Sequence, residues 1–172
     1  MAAYVWPCPT TASVSSGYGY RTPPTGGASS FHAAIDIPTP SGSPVVSIAD
    51  GTVYQIGSSS VRGNYVRILH DSGIVSHYQH LQGAVEGLQV GHKVVQSEQI
   101  AISGSSGIGT GAHTDLRIYR SVGTVGNEST TTDNGATYNP LDYVTPAAGG
   151  VIYPPGTGEA DKGVKFIRWI PG

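Results

Sequence analysis

Glycine and proline interrupt this chain so often that a long helix has no room to form. The 172 residues include 25 Gly and 12 Pro, which cost about 1 and about 3 kcal/mol relative to Ala in a helix interior. Between them lie short runs of Val, Ile, Thr and Tyr, residues that suit a pleated, half-buried surface. This punctuation predicts a mainly β domain of short antiparallel strands and tight loops, with little helix. Hydrophobic residues make up 38% of the chain, enough for one buried core, and the length predicts a single domain over 1–172.

The pattern assigns several strands. Phe31, Ala33, Ile35 and Ile37 alternate with His32, Ala34 and Asp36, so the first set faces one side and the His and Asp the other. Residues 45–49 and 52–56 flank Asp50-Gly51, which predicts a hairpin because Asp-Gly suits a turn needing positive φ. Two further strands, 65–70 and 73–80, meet at the turn Asp71-Ser72-Gly73. Residues 90–95, 99–103, 116–120 and 164–170 read as shorter strands, and 5–14 as a Pro-broken edge. The stretches 22–30 and 121–137, rich in Gly, Ser and Thr, read as long surface loops.

The charge excludes some partners. Net charge is −2 and the pI is near 6.3, with no basic stripe, so nucleic acid is not expected as a partner. No apolar run approaches the roughly 20 residues that span a bilayer, so membrane insertion is not expected either. The start, Met1-Ala2-Ala3-Tyr4-Val5-Trp6-Pro7, lacks the basic and apolar segments of an export signal. Cys8 is the single cysteine; it permits no internal disulfide or cysteine metal cluster, and is expected to be a small buried side chain.

Six histidines in so weakly charged a chain invite a search for a metal site. His32 and Asp36 are four residues apart, on one side of an extended strand, and a bend between them would bring both onto one ion. By the same alternation Tyr78 and His80 share a face, as do His113 and Asp115. Ligands from several strands can converge on one groove, as β scaffolds build zinc sites. His77 falls on the face opposite His80 and is expected at the surface or in a second layer. His92 sits in a turn and is expected to be exposed, and His70 either supports the site or ends a strand.

The order of these clusters resembles the lysostaphin/LytM-type zinc metallopeptidases, from about Ser16 to Tyr143. His32-Ala33-Ala34-Ile35-Asp36 resembles the family's H-x-x-x-D segment, and residues 42–53 its "GtPVyAaadGtV" stretch. Residues 63–70 are similar to "GnyViidH", Tyr78-Gln79-His80-Leu81 to "YxHL", and 90–107 to "vGqkVkkGqvIg.sGnTG". Residues 111–118 align with "GpHLHFEi", and Asn139-Pro140-Leu141 with the closing "NPl". The resemblance implies a LytM/lysostaphin-like fold of the duplicated hybrid-motif type, with an open groove, a core over about 16–143 and an extension over 144–172. It implies Zn2+ held by His32, Asp36 and the residue at 115, with His80 and His113 beside it as the catalytic pair. The implied activity is lytic hydrolysis of peptide bonds in the stem peptides or cross-bridges of bacterial peptidoglycan, the partner. The implied location is extracellular or in the cell wall, reached without an encoded signal as phage lysins and virion proteins do, or in a longer native protein. Loops 22–30 and 121–137 would form groove walls, and Tyr18 and Tyr20 would either stack on substrate or pack at a strand edge.

One departure matters. The family expects H-x-H where this chain has His113-Thr114-Asp115. A carboxylate oxygen binds zinc at about 2.0–2.2 Å, so binding need not be lost. Yet two carboxylates offset the ion's charge, weaken it as a Lewis acid and admit harder ions such as Mn. Three readings stay open: Asp115 is a working ligand, or a degenerate one in a peptidoglycan-binding module without turnover, or the replacement of a native His.

Overall fold

The structure, a computed structural model, describes residues 4–24, 26, 28–109, 111–158 and 167–169. Its strands in chain order are β1 (Gly19–Tyr20), β2 (Phe31–His32), β3 (Ile35–Ile37), β4 (Pro44–Val46), β5 (Gly51–Ser59) and β6 (Gly63–His70). They continue with β7 (Val75–Ala84), β8 (Lys93–Val94), β9 (Gln99–Ser103), β10 (Thr114–Tyr119), β11 (Thr137–Tyr138), β12 (Gly150–Ile152) and β13 (Ile167–Trp169). The helical elements among the described residues are two 3-10 turns, Val122–Thr124 and Pro140–Asp142. The mainly β, antiparallel expectation holds, and no described helix is long and apolar enough to cross a membrane.

A nine-stranded antiparallel sheet runs β11-β10-β7-β6-β5-β8, with β3 on β10, and β9 joining β4 to β7. The β6–β7 hairpin forms at the expected turn: Gly73 has φ 87°, and its N–H donates to His70 O at 2.9 Å. Leu116 and Ile118 of β10 pack with Ile68, Tyr78, Ile35 and Ile37 in the core. By strand alternation Asp115, Arg117 and Tyr119 take the opposite face of β10.

The hairpin expected around Asp50-Gly51 does not form. β4 pairs with β9, while β5 pairs with β6 and β8. Val45, Val46, Ile48 and Ala49 are all buried, so this run needs cover on both faces, which a hairpin alone cannot give. Gly51 is required for another reason than turn geometry: a Cβ there would lie 2.6 Å from Leu69 O and 2.7 Å from Ile68 Cγ2. The strand expected over 90–95 shortens to β8. The one expected over 164–170 is present as β13, paired with β12, and its remaining residues lie outside the described ones. Cys8 is buried in the core, and burial pushes its thiol up to about 11.

Candidate metal centre

The register of β3 on β10 sets Asp36 directly opposite Asp115. Like charges directly opposite on a sheet repel, so this pairing needs positive charge between or beside them. His32 supplies part of it. The two bends at Ala33 and Ala34 separate β2 from β3 and bring its ring over both carboxylates. His32 Nε2 stands 3.4 Å from Asp36 Oδ1 and 3.3 Å from Asp115 Oδ2. Its Nδ1 lies 3.0 Å from Gly17 O, which assigns the proton to Nδ1 and leaves Nε2 for the groove. Burial opposes a charge on this ring, but hydrogen bonds and charges from Asp115 and Asp36 outweigh it and raise its pKa to about 9. The two carboxylates draw a cation to this point, whether proton or metal ion.

The donor spacing fits a small divalent ion. Ligands about 2.1 Å from a tetrahedral zinc stand about 3.4 Å apart, close to the two His32–carboxylate distances. One ligand atom each from His32, Asp36 and Asp115 lie within 4.8 Å of one another. Asp115 Oδ1 is buried with no hydrogen-bond partner, an uncommon state for a carboxylate oxygen.

His80 and His113 complete the floor of a groove that encloses about 250 Å³. Their ring centroids are 4.6 Å apart, and His113 Nε2 is 3.8 Å from Asp36 Oδ1. Each ring is oriented by a backbone carbonyl: His80 Nδ1 lies 2.8 Å from Ser106 O, and His113 Nδ1 2.8 Å from Gly111 O. Both Nε2 atoms are thereby freed. His80 has φ 62°, in a region that non-glycine residues seldom adopt. This kink breaks the expected alternation, so Tyr78 and His80 do not share a face. Tyr78 is fully buried, its hydroxyl accepting from Ile48 N–H at 3.1 Å, while His80 turns to the groove. Ser106 is held in place by a close crossing: Gly63 has φ 62°, and a Cβ there would sit 2.2 Å from Ser106 Oγ.

The other histidines stand apart. His70 is buried, with Nδ1 2.8 Å from Asp50 O and Nε2 2.7 Å from Ser76 Oγ, which makes it a strand-end brace away from the groove. His77 is fully buried rather than at the surface, stacked on Tyr119 at 5.9 Å. His92 is half-buried rather than exposed, in a turn tied to β5 through Val53 N–H, which donates to His92 O at 2.8 Å. Tyr18 and Tyr20 pack edge-on against Phe31, at 5.3 and 5.1 Å, and neither lines the groove. Loops 22–30 and 121–137 do line it, through Pro24, Ala28 and Ser29 and through Glu128 and Thr130.

Two site residues escaped the sequence reading. Arg117 Nη2 lies 3.7 Å from Asp115 Oδ2, and its Nη1 is bonded to Glu128 Oε1. Burial opposes the Asp115 charge, but Arg117 and His32 hold its carboxyl well below the usual carboxylate range. The signal was available: Arg117 aligns with the glutamate of "HLHFE", so the chain departs from the pattern at two positions on one strand face. The second is Arg21, whose Nη1 lies 3.4 Å from Asp36 Oδ2.

Together the antiparallel sheet, the groove and the His/Asp donor set define a β-type metallopeptidase domain. Residues 30–140 match the model of peptidase family M23, and the chain belongs to that family. It is 32% identical over 106 residues to the peptidoglycan DD-endopeptidase ShyB of Vibrio cholerae, covering 61% of this chain and 24% of that one. A zinc-containing peptidase from Vibrio cholerae superposes with a TM-score of 0.61 at 30% identity, covering 67% of this chain and 36% of the other. The catalytic domain of lysostaphin from Staphylococcus simulans shares the fold: TM-score 0.62 at 23% identity, covering 76% and 90%. The chain spans about a quarter of the length of the curated relatives it matches, 23% and 27% for two of them.

Proposed function

We propose that this chain is a zinc-dependent endopeptidase that hydrolyses peptide bonds in the stem peptides or cross-bridges of bacterial peptidoglycan, acting at the wall outside the cytoplasm. The observation that carries it is the spacing of His32 Nε2 from Asp36 Oδ1 and Asp115 Oδ2, 3.4 and 3.3 Å, with two further histidines freed at Nε2 beside it. Membership of the M23 family and likeness to a peptidoglycan DD-endopeptidase support the substrate class.

In this reading His32, Asp36 and Asp115 hold the ion. A bound zinc supplies Lewis acidity toward the scissile carbonyl and lowers the pKa of a coordinated water from about 15.7 toward about 7. The chain's own residues do the rest. His80 and His113, each with Nδ1 committed to a carbonyl, accept a proton at Nε2 when neutral and donate from it once protonated. A protonated ring at that atom also stabilises negative charge developing on the substrate oxygen. The loops bearing Ser29 and Thr130 confine an extended, small-residue peptide between them.

A second reading is a wall-binding module of the same fold without turnover. It is favoured by one observation, the buried Arg117–Asp115 ion pair, which satisfies the carboxylate electrostatically without a metal. Zinc stoichiometry and turbidity loss of purified cell walls, measured together, decide between them. About one zinc per chain with clearing supports the enzyme, and His32→Ala should remove both. Wall binding without clearing, on walls of several bacterial types, supports the module.

A further inference from the structure

The strongest unexplained feature of the site is a pair of buried polar atoms, one on a carboxylate and one on the guanidinium beside it, that each lack a hydrogen-bond partner. Asp115 Oδ1 and Arg117 Nε are both buried and both without a hydrogen-bond partner. The two residues are neighbours on one strand face, and their closest approach, Nη2 to Oδ2, is 3.7 Å. That is ion-pair distance but longer than a hydrogen bond. A guanidinium and a carboxylate so placed ordinarily close into a bidentate fork, which is the strongest geometry open to them.

Glu128 explains why they do not. It belongs to the loop after β10, and its Oε1 is bonded to Arg117 Nη1. The same Oε1 accepts from Arg62 Nη2 at 2.8 Å, while Oε2 accepts from Tyr119 Oη at 2.8 Å. Glu128 is thus fixed by three bonds, one from Arg62 in the β5–β6 turn and two from Arg117 and Tyr119 of β10, and the guanidinium it grips is drawn to its side. The charges alternate outward from the ligand set: Asp115, Arg117, Glu128, Arg62.

We propose that Glu128 is a positioning residue that holds Arg117 back from Asp115 and so keeps the Asp115 carboxylate open to a divalent cation. Arg117 still offsets the second carboxylate of the site by charge, 3.7 Å from Asp115 Oδ2. Removing Glu128 lets Arg117 close on both Asp115 oxygens, which satisfies the two unpaired atoms and shuts the ligand. The metal site therefore depends on the loop 121–136 being docked. The inference rests on the metal-binding reading above.

The test is zinc affinity, measured by competition with a chromophoric chelator, for the wild-type chain, Glu128→Ala, Arg117→Met and Glu128→Ala/Arg117→Met. Changes to groups that orient metal ligands typically cost about 10- to 100-fold in affinity, and Glu128→Ala should fall by that amount. The double variant should recover most of it, since no guanidinium remains to close on Asp115. Unchanged affinity in Glu128→Ala overturns the proposal. So does a loss that Arg117→Met fails to rescue, which would mean that Glu128 acts only by bracing the loop. Should Glu128→Ala not fold, Glu128→Gln with and without Arg117→Met is read the same way, with a smaller loss because the amide still accepts a hydrogen bond. A wild-type chain that binds no zinc overturns the metal reading itself, and this inference with it. Wild-type binding that is insensitive to Glu128 overturns this inference alone.

Discussion

The histidine at the β6–β7 turn and those at the groove are in opposite states. At the β6–β7 turn, His70 spends both ring nitrogens on the protein, one on Asp50 O and one on Ser76 Oγ, and Ser76 in turn donates to Tyr78 Oη at 3.0 Å. At the groove His80, and beside it His32 and His113, each spend Nδ1 on a backbone carbonyl, which leaves Nε2 of His80 and His113 to the groove and turns Nε2 of His32 to the Asp36 and Asp115 carboxylates. Burial alone does not separate them, since His70 and His32 are each 3% exposed. The difference is hydrogen-bond completeness. A closed network stabilises and does nothing more, while a ring fixed at one nitrogen and open at the other is ready to bind a metal or carry a proton.

The sharpest way to break that contrast is to remove an open ring. His80→Ala or His113→Ala should lower wall hydrolysis by about 10²- to 10⁴-fold while zinc content and thermal midpoint stay close to wild type. Loss of most zinc in His113→Ala would instead make His113 a ligand, which its 3.8 Å approach to Asp36 makes worth measuring.

Next in size is Asp115→His, which restores the family's residue but strands Arg117. A neutral imidazole no longer answers the guanidinium, so its positive charge would face the ion directly. Zinc affinity and wall clearing should fall by about tenfold or more, and adding Arg117→Met should recover both. A rise in both quantities for Asp115→His alone would show that Asp115 is a compromised ligand and Arg117 no companion to it.

The closed network should behave differently. His70→Ala leaves Ser76 and the Asp50 carbonyl short of a partner and should cost about 1–3 kcal/mol of stability, seen in denaturant unfolding. Activity per folded molecule should not change. A selective loss of activity would mean that His70 reaches the groove after all.

The smallest effect tests the layer between. His77 has no protein partner at either nitrogen, and burial, then the charges of Arg67 and Arg117, hold its pKa well below the ordinary value. Its folded pKa is depressed, so its contribution is complete above the unfolded value of about 6.5 and is lost as pH falls from there toward the folded pKa. Burial lowers His70 in the same direction. The thermal midpoint should therefore drop between about pH 7 and about pH 5.5, and His77→Phe, which keeps ring packing against Tyr65 and Tyr119, should flatten part of that slope. An unaltered slope would assign the acid sensitivity elsewhere.

Local pattern was enough for the fold class and the β6–β7 turn, because strand alternation and Gly/Pro punctuation act over a few residues. That His32, Asp36, His80, His113 and Asp115 share one neighbourhood was implied by the family resemblance alone. Three things depended on contacts distant in sequence. The run at 45–49 found its partner in β9 rather than across Asp50-Gly51, since burial on both faces outweighed the turn signal. His80 left the face of Tyr78 because Ser106, gripped by Gly63, draws its ring to the groove through a positive φ. Arg117 became part of the site only when Glu128, eleven residues further on, folded back to hold it. Periodicity reports which way a side chain points from its own strand. Which charge answers it is decided by the fold, because buried ions are stable only where the chain brings their counter-charges to them.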